Sequence, residues 1–278
     1  MVHFIMRLIV LAVALSLLLP ARSWAQTDES SNASIGDLSA AALPKSTGPI
    51  VLAAGAPPLL AEAIRKSALD SERWAYTQTT VSKNREGAVK EETVVRYDPS
   101  LPYEEQWTPL KLDGKEPTER QIKNLREEHD KRRKSRRALG ELLDLARATV
   151  VEETATTVTY EVSLIKTDNQ RLPPDKFRVT ARVNKERQAL ENVAVRLREA
   201  FRLMMILKLT SGEGDMDFTS IDPQYAPPIT ALRVGGEGSI LLVKVGGNYS
   251  STRTDFKRVK PYSERFKVKL APMKFLDY

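Results

Sequence analysis

The stretch Phe177-Arg178-Val179-Thr180-Ala181-Arg182-Val183-Asn184-Lys185-Glu186 decides how this chain is to be read. Phe177, Val179, Ala181 and Val183 alternate with Arg178, Thr180 and Arg182, and a period of two belongs to an extended strand with one face buried. Asn184-Lys185-Glu186 breaks the run. Val193, Val195 and Leu197 then alternate with Arg196 and Arg198. Strands this close in sequence pair antiparallel, because a parallel crossover needs a dozen or more residues.

The same grammar extends in both directions. Upstream, Val158, Tyr160, Val162 and Leu164 alternate with Thr159, Glu161, Ser163 and Ile165. Further upstream, Trp74, Tyr76 and Gln78 alternate with Ala75, Thr77 and Thr79, and a turn at Asn84-Arg85-Glu86-Gly87 leads into Val89 through Tyr97. Downstream, Gly212-Glu213-Gly214-Asp215, Gly235-Gly236-Glu237-Gly238 and Gly246-Gly247-Asn248 are expected to be hairpin breaks, since glycine and asparagine suit tight turns. The expectation is an α+β fold dominated by a long curved antiparallel meander. It would form an open half-barrel of roughly ten to twelve strands, with helices covering the concave side.

Two helical segments interrupt the pattern. Pro57-Pro58 suits a first helical turn, and Leu60, Ile64 and Ala68 repeat at helical spacing, which predicts a short amphipathic helix over 57–72. Thr118 and Gln121 have capping-box spacing. After them, Ile122 to Arg137 is almost wholly charged, and Leu139, Leu142, Leu143 and Leu145 restore an apolar face. A charged helical insertion at about 117–147 follows from this, a solvated basic arm ending in a docking helix.

Alternation fails at Leu203-Met204-Met205-Ile206-Leu207 and at Ile240-Leu241-Leu242-Val243. Read as central strands, these runs need cover on both faces. Helices at 57–72 and 139–147 would cover one face, leaving the other for more protein or a hydrophobic ligand.

The chain has 278 residues, no cysteine, two histidines and a formal charge of +7. Arg7 precedes an apolar run of about 12 residues from Leu8 to Leu19, short of the about 20 that span a bilayer. Ser23-Trp24-Ala25 has small residues where a signal peptidase inspects them. The expected organisation is a signal peptide over 1–25, cleaved after Ala25, and a disordered arm over 26–56. A single domain over 57–278 follows, and the expected location is the periplasm. Without cysteine there is no disulfide framework, thiolate metal site or thiol nucleophile. His3 leaves with the leader, so His129 would be the one imidazole, and its charged surroundings read as solvent-exposed.

The string Glu105-Gln106-Trp107-Thr108-Pro109-Leu110-Lys111-Leu112-Asp113-Gly114-Lys115-Glu116-Pro117-Thr118, preceded by Tyr97-Asp98-Pro99-Ser100, resembles a stretch found in LolA/LolB-like envelope proteins. In layout the similarity covers about residues 57 to 278. The resemblance implies a half-open barrel, lidded by helices, whose apolar concave side holds acyl chains of lipoproteins or other lipids. The family's sorting carrier closes its lid with a buried arginine, a role that no arginine of this chain can be aligned with.

Trp74, Tyr76, Phe177, Val179, Val193, Val195, Leu203, Met205 and Leu207 are the candidates for lining a ligand cavity; plain core is the alternative for each. Lys131, Arg132, Arg133, Lys134, Arg136 and Arg137 are candidates for contact with an anionic surface, with a solvated helix face as the alternative. Asp215 and Asp217 lie beside a glycine break, which favours turn chemistry over catalysis. Gly235-Gly236-Glu237-Gly238 lacks the lysine and following helix of a phosphate loop. No nucleophile elbow, metal-ligand cluster or nucleotide-binding glycine pattern is present, so neither an enzyme nor a cofactor or metal is expected. Aromatic residues do not interleave the basic cluster, so nucleic acid is not the expected partner. The expected function is a carrier or binding module for a hydrophobic, acylated lipid or lipoprotein ligand, with an anionic membrane surface as a second partner. The alternative is an envelope interaction module that uses the same fold as a docking platform.

Overall fold

The computed structural model describes residues 55–134, 138–166, 173–203, 207–240 and 243–265, without the side chains of 132–134. The expected leader, nearly all of the expected arm, and Met205, Arg136 and Arg137 lie outside the described residues, as do the side chains of Arg132, Arg133 and Lys134.

Helix α1 (Pro58–Asp70) begins at the proline pair and buries Leu60, Ala61, Ala63 and Ile64. Strands β1 (Trp74–Asn84), β2 (Val89–Tyr97) and β3 (Trp107–Leu112) follow, then helices α2 (Glu119–Lys134) and α3 (Leu139–Leu142). The chain continues through β4 (Leu143–Glu153), β5 (Thr157–Leu164), β6 (Phe177–Asn184), β7 (Ala189–Leu197) and the short β8 (Phe201–Leu203). It ends in β9 (Leu207–Phe218), β10 (Ile229–Ile240), β11 (Val243–Arg258) and α4 (Tyr262–Arg265).

Among the described residues, all 11 strands belong to one open sheet in the order β3-β2-β1-β11-β10-β9-β7-β6-β5-β4, with β8 paired to β9 off that path. Every pairing is antiparallel. The α+β class and the antiparallel sheet are as the alternation predicts, but the order is not a simple meander. The first strand pairs with the last, Trp74 opposite Arg258. Consecutive strands β3 and β4 stand at opposite edges, so the segment 113–142, with α2 and α3, carries the chain from one edge to the other.

The core lies where α1 crosses β6 and β7. Leu60 and Ile64 pack there with Val179, Val183, Leu190 and Val195. Fully burying each such side chain contributes about 1.5–3 kcal/mol. The opposite face of the sheet, from β5 to β10, carries ion pairs: Arg178 and Arg198 with Glu161, Arg182 with Glu191, Arg196 with Asp215, and Arg233 with Asp217. Arg178, Arg182, Arg196 and Arg233 thus each pair with an acid on a neighbouring strand, and Arg198, just past β7, reaches across β6 to Glu161.

Three expectations need correction. The apolar runs at 203–207 and 240–243 are not central strands. Leu203, in β8, pairs with Leu207, in β9, and Ile240, in β10, with Val243, in β11, so the described ends of each run belong to two different strands and meet at one end of the sheet. The glycine clusters, expected as hairpin breaks, lie within β9, β10 and β11, where Gly236 is paired with both Gly212 and Gly247. The physical reason is lack of room: a Cβ on Gly238 would stand 2.4 Å from the Lys208 carbonyl oxygen, and one on Gly246 2.8 Å from that of Gly236. Asp215 and Asp217 are accordingly strand residues. Finally, the docking helix expected over 139–147 is a single turn, α3. Leu143 and Leu145 are strand residues, buried on one face with Asp144 between them on the other.

Helix α2 starts as its capping box predicts. The Thr118 N–H donates to Gln121 Oε1 at 2.9 Å, and the Gln121 N–H donates to Thr118 Oγ1 at 3.4 Å. It lies beside β3 rather than across the core. His129 is half-buried and stacks on Trp107, ring centres 4.7 Å apart and planes 16° from parallel. Its neighbour Asp130 accepts a 3.0 Å bond from the Tyr103 hydroxyl. Ile122, Leu125 and His129 follow one another at helical spacing and are the half-buried side of an otherwise charged helix.

Candidate ligand cavity at the polar boundary of the sheet

Strand register places Thr93, Thr80, Ser251, Leu232, Met216, Val193, Ala181 and Tyr160 in a single row across eight strands, from β2 to β5. Because the side-chain period of a strand is two, residues in one row share a face. That face changes character along the row. Hydroxyls line it on β2, β1 and β11, and hydrocarbon begins at Leu232. Ser251 and Thr93, only 5% and 8% exposed, are the buried polar residues of this region.

At the change lies a cavity of about 100 Å³, lined by Gln78, Met216, Ile229, Ala231, Leu232, Tyr249, Ser251 and Arg253. Its polar wall is built by neighbouring strands. Gln78 on β1 and Arg253 on β11 are registered partners, and Arg253 Nε donates to Gln78 Oε1 at 3.2 Å. The Arg253 guanidinium also stands 4.4 Å from the centre of the Tyr76 ring, a cation–π contact that fixes its plane. The rest of the lining is mainly apolar, Met216, Ile229, Ala231 and Leu232, together with Tyr249. The volume admits several waters or the end of one ligand, below the about 300–1,000 Å³ of typical small-molecule pockets.

Beyond Tyr76 the face becomes an aromatic cluster. Tyr76 lies 5.1 Å from Tyr97 and 5.9 Å from Phe256, and Trp74 meets Phe256 and Tyr225 edge to face at 6.1 and 6.2 Å. Arg258 stands between Trp74 and Tyr225, 5.1 and 3.9 Å from their ring centres. A two-for-one bulge in β11, with Asp255 at φ 52°, turns Phe256 toward these rings. Within the described residues, Trp74 Nε1 and Arg258 Nη1 are buried and have no acceptor.

The sequence candidates thus divide into three groups. Phe177, Val179, Val193 and Val195 belong to the packed core and do not line this cavity. Trp74 belongs to the aromatic cluster, and Tyr76 backs the cavity arginine. Leu203 and Leu207 stand where β8 and β9 end in register, far along the strands. Lys131 is exposed on α2. Gln78, Ser251, Arg253, Leu232 and Met216 were not singled out by pattern. Alternation does mark Gln78 as sharing a face with Trp74 and Tyr76, which is the one local signal that could have found it.

The acids of the sheet are engaged in ion pairs rather than gathered in a cleft. Arg198 and Arg178 hold the Glu161 carboxyl below the usual carboxylate range. Among the described residues no group of three His, Cys, Asp or Glu is arranged to hold a metal ion, and no helix is long and apolar enough to cross a membrane.

No protein-family model matches the chain, and no curated protein matches it. Among solved structures it is similar to a DUF1329 family protein from Desulfovibrio piger, with 12% sequence identity and a TM-score of 0.32, over 72% of this chain and 91% of that one. Similarity of this degree carries nothing about ligand or chemistry, and no family model supports the LolA/LolB-like resemblance.

Proposed function

We propose that this protein is an exported, non-enzymatic binding module for an amphiphilic ligand, one with an acyl or other apolar body and a polar or anionic head. The observation that supports it is the cavity at the polar boundary, which Arg253, Gln78 and Ser251 line beside Met216, Ile229 and Leu232. A guanidinium held by an amide and an aromatic ring is suited to a carboxylate or phosphate, for which its planar fork of donors is matched. Hydrocarbon in the lining contributes about 0.8 kcal/mol for each methylene it removes from water. The small volume means that only the head and first carbons enter as the protein stands, so a longer chain has to displace cover to follow.

Native mass spectrometry of the purified protein, before and after solvent extraction, tests this reading, together with titration by decanoate. The expected results are a bound or exchangeable lipid, and decanoate binding weakened at least tenfold by Arg253→Ala and blocked by Leu232→Trp. Absence of any exchangeable lipid and of decanoate binding sinks it. N-terminal sequencing of the periplasmic protein, expected to begin at Gln26, tests the export reading.

A further inference from the structure

The two edges of the sheet differ. β3, at one edge, carries Pro109, which has no N–H to offer, and α2 lies beside it. β4, at the other edge, pairs among the described residues with β5 alone. Ala146, Arg147 and every residue from Thr149 to Glu153 are exposed. A free row of N–H and C=O groups is a template for another strand. The chain blunts one edge and leaves the other open.

Register with β5 sorts the side chains of this edge. Thr149 stands opposite Glu161, and Glu152 opposite Thr159, so both share the ion-paired face of the sheet. Val150 stands opposite Tyr160, on the core face. The register shifts between Val150 and Glu152, which makes Val151 the extra residue of a bulge. Ala148 packs against the core, and alternation then puts Arg147 on the face of Thr149 and Glu152. Glu153, on the core side, is held by Lys185 at 2.7 Å. Arg147 and Glu152 differ from the other charges of their face: among the described residues neither has an ion-pair partner.

We propose that β4 pairs antiparallel with β4 of a second copy of this chain, about a two-fold axis at Thr149. Such an axis, perpendicular to the sheet, reverses the strand and keeps each face on its own side. With Val151 set aside as the bulge residue, Thr149 meets its own copy, Ala148 meets Val150, and Arg147 meets Glu152. Two-fold symmetry makes each of the last two contacts twice. Charge complementarity selects this occupant, since each unpaired charge of the edge finds its opposite on an identical edge. Registers centred on Arg147 or on Glu152 set like charges against each other instead, a destabilising arrangement across strands. The bulge therefore fixes the register without closing the edge. The contact is short and belongs to the weak, concentration-dependent class. β5, β6 and β7 separate it from the cavity on β9, β10, β11 and β1, so either stands without the other.

Sedimentation velocity of the full mature chain, from micromolar to several hundred micromolar, is expected to show a dimer that grows with concentration. Arg147→Glu alone and Glu152→Arg alone should each weaken association at least tenfold. Both positions are exposed, so the fold should stand, and circular dichroism checks it. An equal mixture of the two single variants should dimerise again, because each chain then carries the charges that the other lacks. The double variant, with both charges exchanged, should associate as wild type does. The chain has no cysteine, so Thr149→Cys supplies a single thiol at the axis. Residues opposite each other in antiparallel strands have Cα atoms about 4.5–5.5 Å apart, within reach of a disulfide. Thr149→Cys should therefore oxidise to a covalent dimer at least tenfold faster than Glu153→Cys, whose copies would stand about 20 Å apart. The proposal is overturned if the wild-type chain is monomeric throughout the range, or if charge reversal leaves its association unchanged. It is equally overturned if the mixture stays monomeric, or if the two cysteine variants cross-link at the same rate.

Discussion

Arg258, the last residue of β11, donates through Nη2 to Asp70 Oδ1 at 2.6 Å, and Asp70 is the last residue of α1. The second carboxylate oxygen of Asp70 accepts a 3.0 Å bond from the Ala226 N–H. One carboxylate therefore joins the first helix, the loop between β9 and β10, and the end of the sheet's longest strand. Closure of the first strand onto the last depends on this junction, since Trp74 follows α1 by a single turn and pairs directly with Arg258.

Replacing Asp70 by asparagine leaves Arg258 half-buried without a charged acceptor while keeping the side-chain shape. Hydrogen bonds to charged groups contribute about 1.5–3 kcal/mol, and a loss of that size is expected in urea unfolding. Asp70→Ala, which also strips the acceptor from Ala226, should cost more. Tryptophan emission follows the change directly, because Trp74 lies against Arg258.

Truncation on α1 should separate its two faces. Ile64→Ala removes a fully buried side chain from the core and is expected to cost about 2–5 kcal/mol. Leu69, 61% exposed on the same helix, should tolerate alanine within about 0.5 kcal/mol. Equal costs at both positions would mean that α1 does not pack as described.

Glycine substitutions in β9 and β10 distinguish strand interiors from turns. Gly238→Ala drives a Cβ toward the Lys208 carbonyl oxygen and should destabilise by about 1–3 kcal/mol. At Gly214 a Cβ meets nothing closer than 3.8 Å, so Gly214→Ala should be far milder. Had these residues formed hairpins, the order of the two effects would not follow from interstrand spacing. Equilibrium unfolding of the two variants checks it.

Glu161 carries a pH dependence of definite sign. Its carboxyl is held below the usual range first by the hydrogen bond from Arg198, which outweighs the opposing effect of burial, and Arg178 adds to the lowering. A carboxylate with a lowered folded-state value contributes stability that is present above the unfolded value of about 4.3 and is lost as pH falls through the folded value. The three side chains are partly exposed, so the contribution is no more than about 1 kcal/mol. Unfolding of Glu161→Gln against wild type should therefore show a constant gap above about pH 5 that closes on acidification. A gap that widens in acid would contradict the ion pairs.

Much of the local structure was legible because it depends on near neighbours in the chain. The β6–β7 hairpin, the turn at Asn84 to Gly87, the amphipathic α1 and the Thr118–Gln121 cap all formed where period and capping chemistry placed them. His129 was misjudged because its partner Trp107 belongs to β3, and the intervening charges gave no sign of a stacking surface. The cavity residues were missed for the same reason: Gln78, Ser251 and Arg253 become neighbours only when β1 pairs with β11, some 175 residues later in the chain.

The sequence by itself determined the period of each strand, the class of fold and the separation of an apolar face from a cationic one, since these follow from side chains adjacent along a strand. Tertiary structure alone decided which strands are neighbours, and with it the meaning of the apolar runs and glycine clusters. Leu203 to Leu207 is equally consistent, residue by residue, with a strand buried on both faces and with two strand ends meeting in register. The difference lies in register with β10 and β11, a pairing between distant segments whose energy no local pattern contains.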